Sequence, residues 1–215
     1  MKNRLSDPEK SLTKWSGLSR RDTGEYRMKK IAVIWSSPNA DGLTASAKER
    51  FVCGASEAGA RIEEVHLNSK KIEHCLACGN GWGTCRNEGT CVIRDDFSEI
   101  YGTLKEADGI VWVTAVYWSD TTECFKALFD RIRRCDAFCN RALAQKRSVI
   151  VACAGGSGNG TLECMMQIER GLKHMGVNVC DRIPVERYNR QYMLPALQEA
   201  GKTFAETLEN ETAGG

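Results

Sequence analysis

A doubly wound α/β fold, with a five-stranded parallel sheet and helices on both faces, is what this sequence predicts. Three observations carry that expectation. Short β-branched apolar runs recur along the chain, helical-period segments alternate with them, and several of the runs end in clusters of small turn residues. In such a sheet ligands bind beyond the carboxyl ends of the strands, near the reversal of strand order.

Lys30 to Trp35 (KIAVIW) reads as a buried parallel strand. Ser36 to Gly42 is a turn. Leu43 to Ala58 follows as a helix with Leu43, Ala47, Phe51 and Ala55 on one face, and Gly59 ends it. Arg61 to Leu67 carries charges, as a strand near an edge does. Asn68 to Ile93 is a long connection with four cysteines and four glycines, and loops of that length are usually functional. Asp95-Asp96 opens a helix to about Ala107, with acids at its positive end. Gly109 to Ala115 is the third strand and Thr122 to Arg134 a helix with Phe125, Leu128, Phe129 and Ile132 inward. Arg147 to Ala154 is the fourth strand, ending in the glycine-rich stretch Gly155 to Gly160. Thr161 to His174 is helical, Gly176 to Ile183 reads as the fifth strand, and Leu194 to Leu208 as the last helix.

The 215 residues fit one domain with a sizeable core. The expected organisation is a polar N-terminal arm (1–27), a core (28–208) with the cysteine loop (68–93) inserted, and a loose tail (209–215). A net charge of +2 and no basic stripe argue against nucleic acid or a membrane surface as partner. No apolar run approaches the ~18 residues of a membrane span. Arg20-Arg21 is followed by polar residues rather than the apolar stretch an export signal needs, so a cytoplasmic protein is expected, with Met28 as an alternative start. Eleven cysteines, an odd number without a secretory signal, point to metal or redox chemistry rather than a disulfide framework.

Ser36, Ser37, Asn39 and Thr44 supply short hydrogen-bonding side chains where a loop enters a helix N-terminus. That suits a single phosphate, and equally a solvated turn with a Ser or Thr cap. The loop matches neither the triphosphatase nor the dinucleotide glycine pattern. His66, His74 and His174 are scattered, and no hydrolytic triad or zinc-peptidase motif is present.

Three stretches together resemble the NADPH-dependent FMN reductase-like branch of the flavodoxin superfamily, which includes the iron–sulfur flavoproteins. They are KIAVIWSSPNADGLT (30–44), then CVIRDDF (91–97) followed by KEADGIVWVTAVYWSDTTECFKALFDR (105–131), and the glycine-rich loop after the fourth strand. The resemblance spans roughly Met28 to Val185 and implies a flavodoxin-like fold that binds FMN. It implies Ser36, Ser37, Asn39, Leu43 and Thr44 at the phosphate and ribityl chain, and Thr114, Val116, Tyr117, Trp118 and Ser119 at the isoalloxazine. Gly155 and Gly156, with Gly158, would close over the ring edge. Two positions depart from the family pattern: Trp35 stands where Gly is usual and Ala115 where Pro is usual.

Cys75, Cys78, Cys85 and Cys91 suit three states: a [4Fe–4S] cluster, a structural zinc ion, or free thiols. The resemblance adds that iron–sulfur flavoproteins carry a compact motif here with two residues between the second and third cysteines, where this chain has six. Cys135 and Cys139 read as buried thiols, and Cys53, Cys124, Cys153, Cys164 and Cys180 as core. By resemblance the chain is an oxidoreductase passing electrons from NAD(P)H to a quinone, nitro or azo compound, metal ion or flavin. The alternatives are an electron carrier exchanging with a ferredoxin-like partner and a zinc-holding module. Relatives of this kind form homodimers or homotetramers.

Overall fold

The computed structural model describes residues 28–210; the expected arm (1–27) and most of the expected tail (211–215) lie outside the described residues. Strands β1 (Lys30–Ser36), β2 (Arg61–His66), β3 (Gly109–Ala115), β4 (Arg147–Ala154) and β5 (Asn178–Glu186) form one parallel sheet in the order β2-β1-β3-β4-β5. The chain runs outward from β1 to β2, then returns to β3 on the other side of β1. The carboxyl ends of β1 and β3 therefore flank the reversal of strand order, where a crevice opens.

Each inner strand buries both faces, so alternate residues feed two cores. Ile31, Val33 and Trp35 pack with Val111 and Val113 under α1 (Leu43–Glu57) and α6 (Arg190–Asn210). Ala32, Ile34, Ile110 and Trp112 pack on the other face under α3 (Phe97–Glu106), α4 (Glu123–Cys135) and α5 (Thr161–Met175). The near-continuous apolar runs of β1 and β3 follow from this two-sided burial. The edge strands carry charge: β2 exposes Arg61 and Glu64, and β5 exposes Asp181 and Arg182.

Four features differ from the sequence reading. β5 starts two residues later and ends at Glu186, with a register shift against Ser148/Val149. The last helix begins at Arg190 with Pro195 inside its early turns. A short helix, α2 (Thr84–Asn87), lies within the cysteine loop, and α4 runs on into a single π turn, Asp136–Asn140. Among the described residues no helix is long and apolar enough to cross a membrane.

Candidate functional site

Beyond the carboxyl ends of β1, β3 and β4 lie two adjoining clefts of about 300 and 480 Å³, within the range of small-molecule sites. They share Val116, Gly155 and Gly156, so they form one trough. Ser37, Asn39, Leu43, Thr44 and Tyr117 line its first half, with Pro38, Gly42 and Cys153; Trp118 and Ser119 line its second, with Ser157 and Asn159.

The first half is built for an anion. Gly42 stands in extended backbone at the N-cap of α1 and makes no side-chain cap, and the first turn of the helix holds no acid. The opening N–H groups of α1 therefore keep their capacity for a ligand, and the helix dipole favours negative charge there. Thr44, 4 % exposed, places its hydroxyl at the same helix end. Ser37 Oγ accepts the Asn39 N–H at 3.2 Å and shapes the turn. Burial pushes the Cys153 thiol up to about 12 despite a hydrogen bond with Thr44, so the trough wall is neutral there.

The second half is a strained, exposed turn. Tyr117 and Asp120 exchange backbone hydrogen bonds at 2.8 and 2.9 Å. Trp118 and Ser119 between them take φ values of 50° and 63°, a left-handed pair that costs non-glycine residues of order 1–3 kcal/mol each. The strain leaves the Trp118 indole fully exposed at the trough rim. Opposite it, a Cβ at Gly156 would meet nothing within 4 Å, so bare backbone there serves the open trough rather than internal packing.

Ser36 and Thr114 sit behind the trough and do not line it. Both are fully buried, and Ser36 Oγ donates to Thr114 Oγ1 at 3.0 Å, bracing β1 against β3 directly under the crevice. Trp35 points away as well: its ring stacks on His66 at 3.7 Å in the α1 face, and His66 Nε2 meets the Ser37 carbonyl at 2.9 Å. The bulk at that position therefore supports the loop from behind. His66 is a bracing residue that sequence reasoning missed; its position opposite Trp35 in the β1–β2 register was the available signal. A separate groove of about 570 Å³ runs between α4 and α5, and it holds neither the N-terminus of α1 nor the glycine loop.

The cysteine loop closes on one hollow. Cys75, Cys78, Cys85 and Cys91 all line it, together with Arg131, Arg134 and the buried Cys135. The six-residue gap between Cys78 and Cys85 is absorbed by a turn with Ala77, Gly79, Asn80 and Gly81 at positive φ, followed by α2. One helical segment pins this loop. Arg131 donates to the Glu73 carbonyl at 3.0 Å, Arg134 to the Gly81 carbonyl, Cys139 Sγ to the Asn87 carbonyl at 3.2 Å and Asn140 to the Gly89 carbonyl at 3.1 Å. Trp82 packs edge-on against Phe138 with Arg134 over its ring.

All four loop thiols are free and partly exposed. Among the described residues no three His, Cys, Asp or Glu side chains are grouped to hold one metal ion. Four thiols around a common hollow match a cluster with one thiolate per iron. The donor number and type fit such a cluster; the hollow itself measures about 20 Å³, room for about one water. The other thiols divide differently from expectation. Cys135, Cys153 and Cys164 are buried, but Cys53, Cys139 and Cys180 are exposed and Cys124 is half-buried, because an outward-facing helix or edge-strand position decides burial more than neighbours in sequence do.

Residues 29–186 match the model of the NADPH-dependent FMN reductase family. The chain belongs to that family. FMN is the cofactor this FMN reductase family implies, and the trough fits it: a helix N-terminus for the phosphate and an aromatic rim for the ring. The chain is also 31 % identical to an iron–sulfur flavoprotein of Methanocaldococcus jannaschii over 74 % of its own length and 80 % of that protein. It is 37 % identical to an iron–sulfur flavoprotein of Methanosarcina thermophila over 56 % of its length and 60 % of that protein. A match to one from Archaeoglobus fulgidus covers 46 % of that relative, so the chain matches about half the length of some of these proteins. Among solved structures, an NAD(P)H:quinone oxidoreductase from Methanothermobacter marburgensis superposes with a TM-score of 0.64 at 20 % identity, over 83 % of this chain and 98 % of that one. An archaeal flavodoxin superposes at 0.56 and 15 % identity, over 84 % and 99 %. The fold of this family member is flavodoxin-like.

Proposed function

We propose that this chain holds FMN in the trough and a [4Fe–4S] cluster on Cys75, Cys78, Cys85 and Cys91, and passes electrons from NAD(P)H to a small acceptor such as a quinone, nitro or azo compound, metal ion or flavin. The observation that carries the reading is the pairing, in one chain, of an anion-ready trough beyond the carboxyl ends of the strands with four free thiols that line one hollow against the C-terminal end of α4. Bound FMN supplies two-electron redox chemistry and a cluster one-electron chemistry. The chain's residues bind and orient. The α1 N-terminus, Ser37 and Thr44 take the phosphate, Tyr117 and Trp118 offer flat faces beside the ring, and the backbone at Gly155 and Gly156 lets the ring edge approach. No side chain in the trough is required as general acid or base.

A second reading follows from the thiol hollow itself. A one-electron group in the same chain as the flavin suits exchange with a one-electron carrier, here a ferredoxin-like partner, in place of nicotinamide. Trp118, fully exposed at the rim, suits contact with a second copy in a homodimer or homotetramer.

Anaerobic purification with a visible spectrum and iron, sulfide and zinc assays tests the cofactors. Flavin bands over a broad absorption, with about four irons and four sulfides per chain, are expected; zinc without flavin overturns the proposal. Stopped-flow mixing then separates donors. Flavin bleaching by NADH or NADPH supports the first reading, and reduction by a ferredoxin but by neither nucleotide selects the second.

A further inference from the structure

Arg131 and Asp95 form a fully buried ion pair: Arg131 Nη1 and Nη2 donate to the two carboxylate oxygens of Asp95 at 2.6 and 2.9 Å, with side chains 1 % and 0 % exposed. Burying two charges costs more than a surface pair returns unless the remaining hydrogen-bonding capacity is used. Most of it is. Asp95 also accepts the N–H groups of Glu73 and Phe97, and Arg131 donates to the Glu73 carbonyl and lies over the Phe97 ring at 4.2 Å. The pair thereby clamps the start of the cysteine loop to its end.

One donor is left over. Arg131 Nε is buried and without a hydrogen-bond partner, although Arg131 forms part of the wall of the hollow and interacts with the Cys91 thiol. A buried unpaired N–H on a permanent cation is costly, and its neighbours in that wall are the thiols that would carry the negative charge of a cluster.

We propose that Arg131 is a positioning and tuning residue for an anionic metal–sulfur group on the four cysteines, supplying a fixed positive charge and a hydrogen-bond donor that raise its reduction potential, while Asp95 holds the guanidinium in place. The inference rests on the cluster reading above. Net charge and hydrogen bonds to sulfur are what set such potentials. Removing the cation disfavours the more negative, reduced state, and removing the neighbouring carboxylate favours it.

The test compares wild type, Asp95→Asn, and the paired variant Asp95→Asn with Arg131→Gln, which keeps a neutral hydrogen-bonding pair in the buried site. Anaerobic redox titration followed by electron paramagnetic resonance reads the potential, and iron and sulfide assays read loading. Asp95→Asn is expected to raise the potential. The paired variant is expected to fall below Asp95→Asn by a tenfold or greater change in the one-electron reduction equilibrium, about 59 mV or more. A purely structural clamp gives no such opposed signs, so loaded variants with equal potentials overturn the inference while leaving the cluster reading intact. Wild-type protein without iron or sulfide overturns both. If the paired variant does not load, Arg131→Lys is compared with wild type; it keeps the charge but loses the Nε donor. A lowered potential in that variant supports the role, and an unchanged one overturns it.

Discussion

At the residue scale, the trough depends on what is missing at a few positions. Gly156 has open space where a side chain would go, so Gly156→Leu is expected to fold with stability within about 0.5 kcal/mol of wild type, as for surface changes without a structural role. Its FMN content should nevertheless fall sharply; flavin absorbance per chain against the thermal midpoint of the apoprotein checks this, and a full complement of FMN would contradict the trough assignment. Part of this site was legible in the chain. Ser37, Asn39, Leu43 and Thr44 announce themselves as short polar residues and a helix start. Ser36 and Thr114 look the same in sequence, yet they face each other across β1 and β3: Ser36 donates its hydroxyl to Thr114, and Thr114 donates its own to the Ala115 carbonyl. Residue type alone does not say on which side of a strand end a hydroxyl emerges.

At the element scale, α1 and α6 approach closely enough for backbone contact. A Cβ at Gly54 would lie 1.8 Å from the Gln198 carbonyl oxygen, and one at Gly201 2.1 Å from that of Phe51. Gly54→Ala and Gly201→Ala are each expected to cost about 1–3 kcal/mol through overpacking, lowering the thermal midpoint by about 2–4 °C per kcal/mol. Calorimetry of each single variant checks it. A second tie joins α5 to β5. Hydrogen bonds from Arg182, then Lys173, hold the Glu169 carboxyl down at about 2 against its ordinary 4.5. Because the folded value is depressed, the stabilisation is fully present above about 4.5 and is lost as the pH falls toward 2. Glu169→Gln should therefore melt below wild type at pH 7, with the gap narrowing at pH 3. The regular elements were readable because two-sided burial writes itself as β-branched runs and 3.6-residue spacing. α2 and the π turn were not, since contacts distant in sequence, such as Asn140 with Gly89 and Trp82 with Phe138, shape them. The early start of α6 was also hidden, because Pro195 ordinarily marks a boundary rather than an interior turn.

At the scale of the whole molecule, the strand order makes one end of the sheet responsible for ligands and leaves the other end to stability. A ligand that binds the folded trough stabilises the entire chain. FMN at one hundred times its Kd should add about 2.7 kcal/mol, and Gly156→Leu should abolish that gain, which a thermal shift series over FMN concentration measures. The fold class was available from the alternation of elements alone, whereas the convergence of Cys75, Cys78, Cys85 and Cys91 was not. Their spacing left a cluster, a zinc ion and free thiols open, and it is the turn at Ala77–Gly81 that brings the four round one hollow.

The charged edges of the sheet have a consequence for crowding in solution. β2 and β5 present unpaired backbone rims, yet each rim is studded with Arg61 and Glu64 or with Asp181 and Arg182. A second chain adding itself as a sixth strand would have to strip water from those charges, so templated strand addition, the route to fibrils, is discouraged at both ends. Association between copies is left to helices and loops, which can come apart again without unravelling the sheet.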